Sequence, residues 1–182
     1  MNPVDHFRQM ARNNAWSNLR LLRACRGLSQ AEFVAPRVSF FPSIMLTLNH
    51  ILTVDWFYLD ALLREGRGLS VFEPENPYED CDSLAAAQSA TDRRLVEFCD
   101  GLTVAGLAEE VVMDRGGEVV PPERADAILL HLFQHQIHHR GQVHAMLAGT
   151  KAPPPQLDEY FLRYDRKLRA GDMRELGLDE IA

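Results

Sequence analysis

HLFQHQIHHRGQVHAML, residues 131–147, holds five of the seven histidines of the 182-residue chain: His131, His135, His138, His139 and His144. Projected at about 100° per residue, Ile128, Leu132, His135, His139, Gln142 and Met146 fall on one helical stripe. Two imidazoles thus interrupt the face that should meet an apolar core. A buried imidazole has two ring nitrogens to satisfy. A metal ion does this well, because neutral imidazole is a common ligand for zinc and its neighbours and an i, i+4 pair can converge on one ion. His131 and His139 lie about 12 Å apart along a helix axis, too far for bonds of about 2.0–2.1 Å to a shared ion. The pairs left are His131/His135, His135/His139 and His135/His138. The central position of His139 on the stripe favours His135/His139, with His138 and His144 at the surface or in support. Two other readings stand beside the metal: hydrogen-bonded core histidines, and a cluster whose mutual repulsion on protonation senses pH.

The stretch sits in a helix predicted over 122–149, after Pro121-Pro122 and before Gly149. Three more long helices are expected upstream, over 3–27, 42–65 (stopped by Gly66) and 83–102, with a short turn somewhere in 29–41. The segment RGLSVFEPENPYEDCD, residues 67–82, is rich in turn formers and reads as irregular. EEVVMDRGGEVVPP, residues 109–122, places two β-branched runs around Arg115-Gly116-Gly117 and reads as a small hairpin. Pro153, Pro154 and Pro155 force an extended turn, followed by a tail with one or two short helices around 157–169 and near the C-terminus. Four long helices around one core make an all-α four-helix bundle, read as a single domain over 1–182.

A third ligand should come from another helix, and His6 and His50 are the histidines that remain. His6 lies near a terminus that is expected to fray. His50, in SIMLTLNHILTVDWF, shares a helical face with Leu46, Val54 and Phe57. Three histidines from two helices would leave positions open for water or substrate, the catalytic pattern; structural zinc is normally closed by four ligands.

Composition narrows the function. Hydrophobic residues are 46% and charged residues 25% of the chain, and the formal net charge is -7. With no basic stripe to neutralise phosphates, nucleic acid is excluded as the main partner. Cys25, Cys81 and Cys99 are widely spaced, match no metal pattern and read as reduced thiols of a cytoplasmic protein, a redox or nucleophilic cysteine being the alternative. MNPVDHFRQMARNN has no apolar core and does not read as a signal peptide. The most apolar stretch, residues 43–63, is interrupted by His50, Asp55 and Asp60 and reads as a buried helix, with no membrane span expected.

The run His135-Gln136-Ile137-His138-His139-Arg140-Gly141-Gln142 resembles the HxxxHRGQ signature of the DinB (damage-inducible) family within the DinB/YfiT-like metalloprotein superfamily. NNAWSNLRLL, residues 13–22, is similar to its first-helix motif through Asn14, Trp16, Asn18 and Leu21, although Ala11 to Asn13 lack the family's tyrosine. SIMLTLNHILTVDWFYLDAL is similar to its second-helix motif. The resemblance implies an up-down-down-up four-helix bundle and a divalent metal, zinc or nickel, held by His50, His135 and His139. It also implies a homodimer. Leu130, Phe133 and Ile137 form a second apolar stripe that fits a subunit interface, unless the tail or a neighbouring helix covers it.

Two functions follow as expectations. One is a metal-dependent enzyme acting on a small-molecule substrate, such as a low-molecular-weight thiol, because the superfamily resembles thiol S-transferases and hydrolases. No HExxH is present: Gln136 stands where that motif has its glutamate, so a zinc-protease mechanism lacks its base. Gln142 and Asn49 are candidates for auxiliary roles. Arg140, about 100° round from His139, suits a surface or inter-helix ion pair. The other is a non-catalytic metal-binding protein, a stress-response factor or small-ligand receptor, since the chain has no nucleophile elbow, phosphate loop or dinucleotide fingerprint.

Overall fold

The computed structural model describes residues 2–117 and 120–179. The chain runs through α1 (Pro3–Cys25), α2 (Gln30–Val34), α3 (Ile44–Leu63), α4 (Cys81–Asp100), α5 (Val104–Leu107), a two-residue ribbon of β1 (Glu110–Val111) and β2 (Glu123–Arg124), α6 (Ala125–Leu147) and α7 (Arg166–Leu176). Local chemistry sets the starts. Asn2, Ser43 and Asp80 cap α1, α3 and α4 by accepting the N–H of Asp5, Leu46 and Ser83.

Cross-helix pairs fix the direction of each long helix. Asn14 of α1 and Arg26, the residue that caps its C-terminus, meet Asp92 and Asp82 of α4, so these two helices run antiparallel. His50 and Tyr58 of α3 meet His135 and His131 of α6, again antiparallel. Asp55 and Trp56 of α3 meet Gln88 and Thr91 of α4, a parallel pair. Phe7 and Asn14 of α1 meet Phe133 and Arg140 of α6, also parallel. The bundle is therefore up-down-down-up.

Its core comes in two halves. One gathers Phe7, Val54, Phe57, Leu95, Leu129 and Phe133; the other gathers Leu21, Ile44, Leu48, Leu84, Val143 and Leu147. Burial of side chains such as these is worth about 1.5–3 kcal/mol each. Near the junction of the two halves polar residues interrupt the inward face of each long helix, Asn14 and Asn18 on α1, His50 and Asp55 on α3, Gln88 and Asp92 on α4, and His135, Gln136, His139 and Arg140 on α6. A satellite cluster of Trp16, Tyr160 and Met173 docks the tail. There Trp16 Nε1 donates to Asp172 at 3.1 Å, and Arg20 and Arg23 hold the same carboxylate at 2.7 and 2.8 Å.

Four expectations change. The hairpin pairs Glu110 with Arg124 and Val111 with Glu123, further from the glycines than the β-branched runs suggested. Pro121 and Pro122 have no N–H with which to extend the ladder inward. Gly116 and Gly117 do take positive φ at the turn, while Glu118 and Val119 of the second run lie outside the described residues. α3 stops at Arg64, which adopts the left-handed conformation at φ 58°, before Gly66 is reached. The Asp60 carboxylate then accepts the N–H groups of Arg67 and Gly68, both at 2.9 Å, and turns the chain. The irregular 67–82 segment contains one 3-10 turn, Gly68–Phe72. In the tail, helix begins only at the 3-10 turn Arg163–Asp165 and continues as α7.

Candidate metal centre

His50 projects from α3, and His135 and His139 from successive turns of α6. The antiparallel packing of these helices brings the three rings together. Ring centroids are 4.9 Å apart for His50 and His135, 4.7 Å for His50 and His139, and 4.4 Å for His135 and His139. One ring nitrogen from each lies within 4.8 Å of the others, and among the described residues this is the group of metal-ligating type close enough to hold an ion. The Nε2 atoms of His50 and His135 face each other at 3.0 Å. Two nitrogens bound at about 2.0–2.1 Å to one ion sit about 2.9–3.4 Å apart, so the donor geometry fits a shared divalent cation.

The surroundings keep the imidazoles neutral, the form that binds metal. Burial pushes His50 down to about 4, helped by His139, and pushes His135 down to about 3, helped by His139 and His50. Burial also lowers His139, against the opposing effect of the hydrogen bond it donates to Gln142. Gln142 Oε1 lies 2.9 Å from His139 Nδ1, and Gln142 Nε2 lies 3.0 Å from His138 Nε2. An amide oxygen only accepts, so His139 Nδ1 carries the proton and its Nε2 lone pair is left for an ion. This is the usual supporting arrangement for a metal-bound histidine. His135 Nδ1 is buried and has no hydrogen-bond partner among the described residues.

The remaining histidines stay out of the cluster. His131 is exposed and packs on Tyr58. His138 is exposed and touches the centre through Gln142. His144 Nε2 meets Pro155 O at 3.0 Å and pins the proline turn. His6 is exposed beside Phe7. Asn49 is fully buried and faces away, bonding Tyr78 O and N at 2.7 and 3.0 Å, so it fastens the loop before α4.

Two features were not legible in the helical spacing. Phe41, in the loop ahead of α3, lies over the cluster with its ring 4.3 Å from His50 and 5.7 Å from His139. Immediately behind the histidines runs a buried polar layer to which all four long helices contribute. Asp92 accepts from Asn14, Asn18 and Gln88 at 3.1, 2.9 and 3.2 Å. Asp55 accepts from Gln88 at 2.8 Å and from Gln136. Arg140 donates to Asn14, and to Asn18 and Gln136 at 3.2 Å each. Gln136 follows His135 and Arg140 follows His139, so the layer holds the candidate ligands' own helix in register. Burial raises Asp55 to about 7, with Asp92 adding repulsion, and burial likewise raises Asp92. Burial lowers Arg140 to about 10, which leaves it charged at neutral pH. The two buried carboxyls share one nearby cation, and burial favours the protonated form of each.

The cysteines offer no reactive thiolate. Cys25, Cys81 and Cys99 are all free. Burial raises all three thiols, Cys81 to about 11 and Cys99 to about 12. On α6, Phe133 turns inward onto Phe7, so of the expected outer stripe only Leu130 and Ile137 are exposed. No described helix is long and apolar enough to cross a membrane. A cavity of about 720 Å³ lies away from the histidines, between α1 and α7. A groove of about 500 Å³ is lined in part by Gln142, the residue that bonds His139, and by none of the three clustered histidines.

Comparison with known proteins agrees with the geometry. The model of the DinB family matches residues 1–168. No curated protein matches the chain.

Proposed function

The chain belongs to the DinB family, and from that premise we propose that it binds one divalent metal ion, zinc or nickel, through His50, His135 and His139, and that it is a metal-dependent enzyme acting on a small molecule by thiol-transfer or hydrolytic chemistry. The observation that carries this reading is the convergence of three ring nitrogens from two helices within 4.8 Å. Three protein ligands leave a position for an exogenous group, as in catalytic sites. When bound, a divalent ion supplies Lewis acidity, which lowers the pKa of a coordinated water or thiol and orients it. The chain's own residues do the rest. Gln142 fixes the tautomer of His139, Phe41 keeps bulk water off the His50 and His139 rings, and the Asp55–Gln136 contact holds His135 in place. Gln136, which stands where HExxH has its glutamate, is spent on Asp55 and Arg140 and does not serve as a base.

A second reading is a non-catalytic metal-binding protein of stress response or small-ligand binding. The packing of Phe41 on two of the three rings favours it. The exposed Leu130 and Ile137 support a homodimer joined through α6, and protonated, unpaired cysteines support a cytoplasmic setting. We read the chain as one domain.

Metal analysis of the purified full chain by mass spectrometry tests the centre. The parent is expected to hold one zinc or nickel per chain. His50→Ala and His139→Ala lose it, whereas His131→Ala and His138→Ala keep it. A parent that stays metal-free after incubation with both ions, or ligand variants that retain the ion, would overturn the assignment.

A further inference from the structure

The groove that shares Gln142 with the histidine cluster has a largely apolar wall and one charged side chain, Arg37. Val38 and Phe40 line it from the loop before α3, and Ala145 and Met146 line it from the last turns of α6. Val38 is 106% and Phe40 78% exposed, an unusual placement for two apolar side chains six and four residues before the buried helix start at Ile44. The loop that carries them is closed by Arg37 N–H donating to Pro42 O at 2.9 Å, so they are held out rather than left loose. Phe40 meets Phe41 edge-on at 4.9 Å, and Phe41 lies on His50 and His139. One continuous aromatic surface therefore leads from the groove to the candidate metal centre.

Arg37 is the cation of that wall. Among the described residues its guanidinium donates from Nη2 to Glu32 O at 2.7 Å, its Nε has no partner, and no carboxylate pairs with it. The larger cavity between α1 and α7 differs in this respect. Its Arg20 and Arg23 are neutralised by Asp172, Glu159 and Glu175, and its Lys151 by Glu32. An unpaired guanidinium beside an apolar groove is matched by an anion with an apolar body. A single positive charge matches a monoanion.

We propose that this groove is the subsite for a small amphipathic carboxylate. Its acid group pairs with Arg37, its apolar body packs between Phe40 and Met146, and its far end lies toward Gln142 and the metal. The proposal names the substrate class of the centre described above and rests on that metal reading only for what lies at the far end.

The test is calorimetric titration of the full chain, metal-loaded and metal-stripped, with phenylbutyrate and with its neutral counterpart phenylbutyramide. Phenylbutyrate is expected to bind with one-to-one stoichiometry and the amide at least about tenfold more weakly. Arg37→Gln and Phe40→Ser are each expected to weaken the acid by at least about tenfold, with unchanged circular dichroism. Should Arg37→Gln disturb folding, the acid-to-amide comparison and the exposed Phe40→Ser decide. Metal content measured on the same samples separates the two ideas. Acid binding that depends on Arg37 in a chain that takes up no metal keeps the groove and discards the metal. Full metal with acid binding indifferent to charge, Arg37 and Phe40 discards the groove. A Phe40→Ser chain of lower solution mass with unchanged acid binding makes the loop a subunit contact, and that too overturns the proposal.

Discussion

Gln136 donates its amide hydrogen to Asp55 across the α3–α6 interface, one residue after His135 on α6 and five after His50 on α3. The bond ties the helix that carries two candidate ligands to the helix that carries the third. It sits in the layer where the apolar core is interrupted, so its groups cannot turn to water when a partner is lost.

Arg140→Ala is expected to destabilise the fold by about 3–5 kcal/mol, because it leaves two buried carboxyls without their cation. Adding Asp92→Asn should recover a large part of that loss. Urea unfolding followed by circular dichroism reads both. A single variant within about 0.5 kcal/mol of the parent, the range of surface substitutions, would sink the role given to the layer.

The same layer sets a pH dependence. Asp55 titrates in the fold at about 7, raised from 3.8 chiefly by burial. The folded chain therefore binds more protons there than the unfolded one. The stability that Asp55 contributes is fully present below about pH 4 and is lost as pH rises toward 7, by at most about 1.4 kcal/mol per pH unit. His50 and His135 act the opposite way. Their lowered values give stability that is present above 6.5 and lost as pH falls toward 4 and 3. Asp55→Asn removes the first slope and leaves the second, so its stability should climb more steeply than the parent's between pH 4 and 7. Parallel curves from thermal melts across that range would count against the Asp55 assignment.

Gln142→Ala is expected to weaken metal binding about 10–100-fold without unfolding the chain, since the amide orients His139 from the solvent side. Competition with a chromogenic chelator measures it. An unchanged affinity would mean that packing, rather than Gln142, holds the ring.

Asp172→Ala should free the tail. It leaves the buried Trp16 Nε1–H without its acceptor and takes the shared carboxylate from Arg20 and Arg23. The expected cost is about 1–3 kcal/mol. Trp16 fluorescence should shift to the red as Tyr160 and α7 lift away, and an unshifted spectrum would show that the satellite cluster holds without the anchor.

Much of this was readable in the sequence where a helix has one inward face. The i, i+4 spacing of His135 and His139 and the single imidazole on the apolar face of α3 located the cluster. The match over residues 1–168 gave the same family that HxxxHRGQ suggested. Reading failed where a helix has two inward faces. Arg140 projects about 100° from His139, which from one face left a surface position and an inter-helix ion pair both open. In the bundle α6 touches both α3 and α1, so that direction points at Asn14 and Asn18 and is buried. Phe133 left the outer stripe for the same reason. Asp55 was visible only as an interruption of an apolar run, because its partners Gln88 and Gln136 lie 33 and 81 residues away. Phe41 sits in a loop, where no periodicity aims a ring. Asn49 seemed close to the centre by adjacency to His50, but neighbours on a helix point about 100° apart.

His50 and His135 are 85 residues apart in the chain. An ion gripped by both would be a covalent-like tie across that loop, in a protein whose three thiols form no disulfide. By the chain-entropy argument for cross-links, closing a loop of this length restricts the unfolded ensemble by about 4–5 kcal/mol. A chelator would then act on this protein as a reductant acts on a secreted one, cutting a staple and lengthening the free chain without touching a single packed side chain.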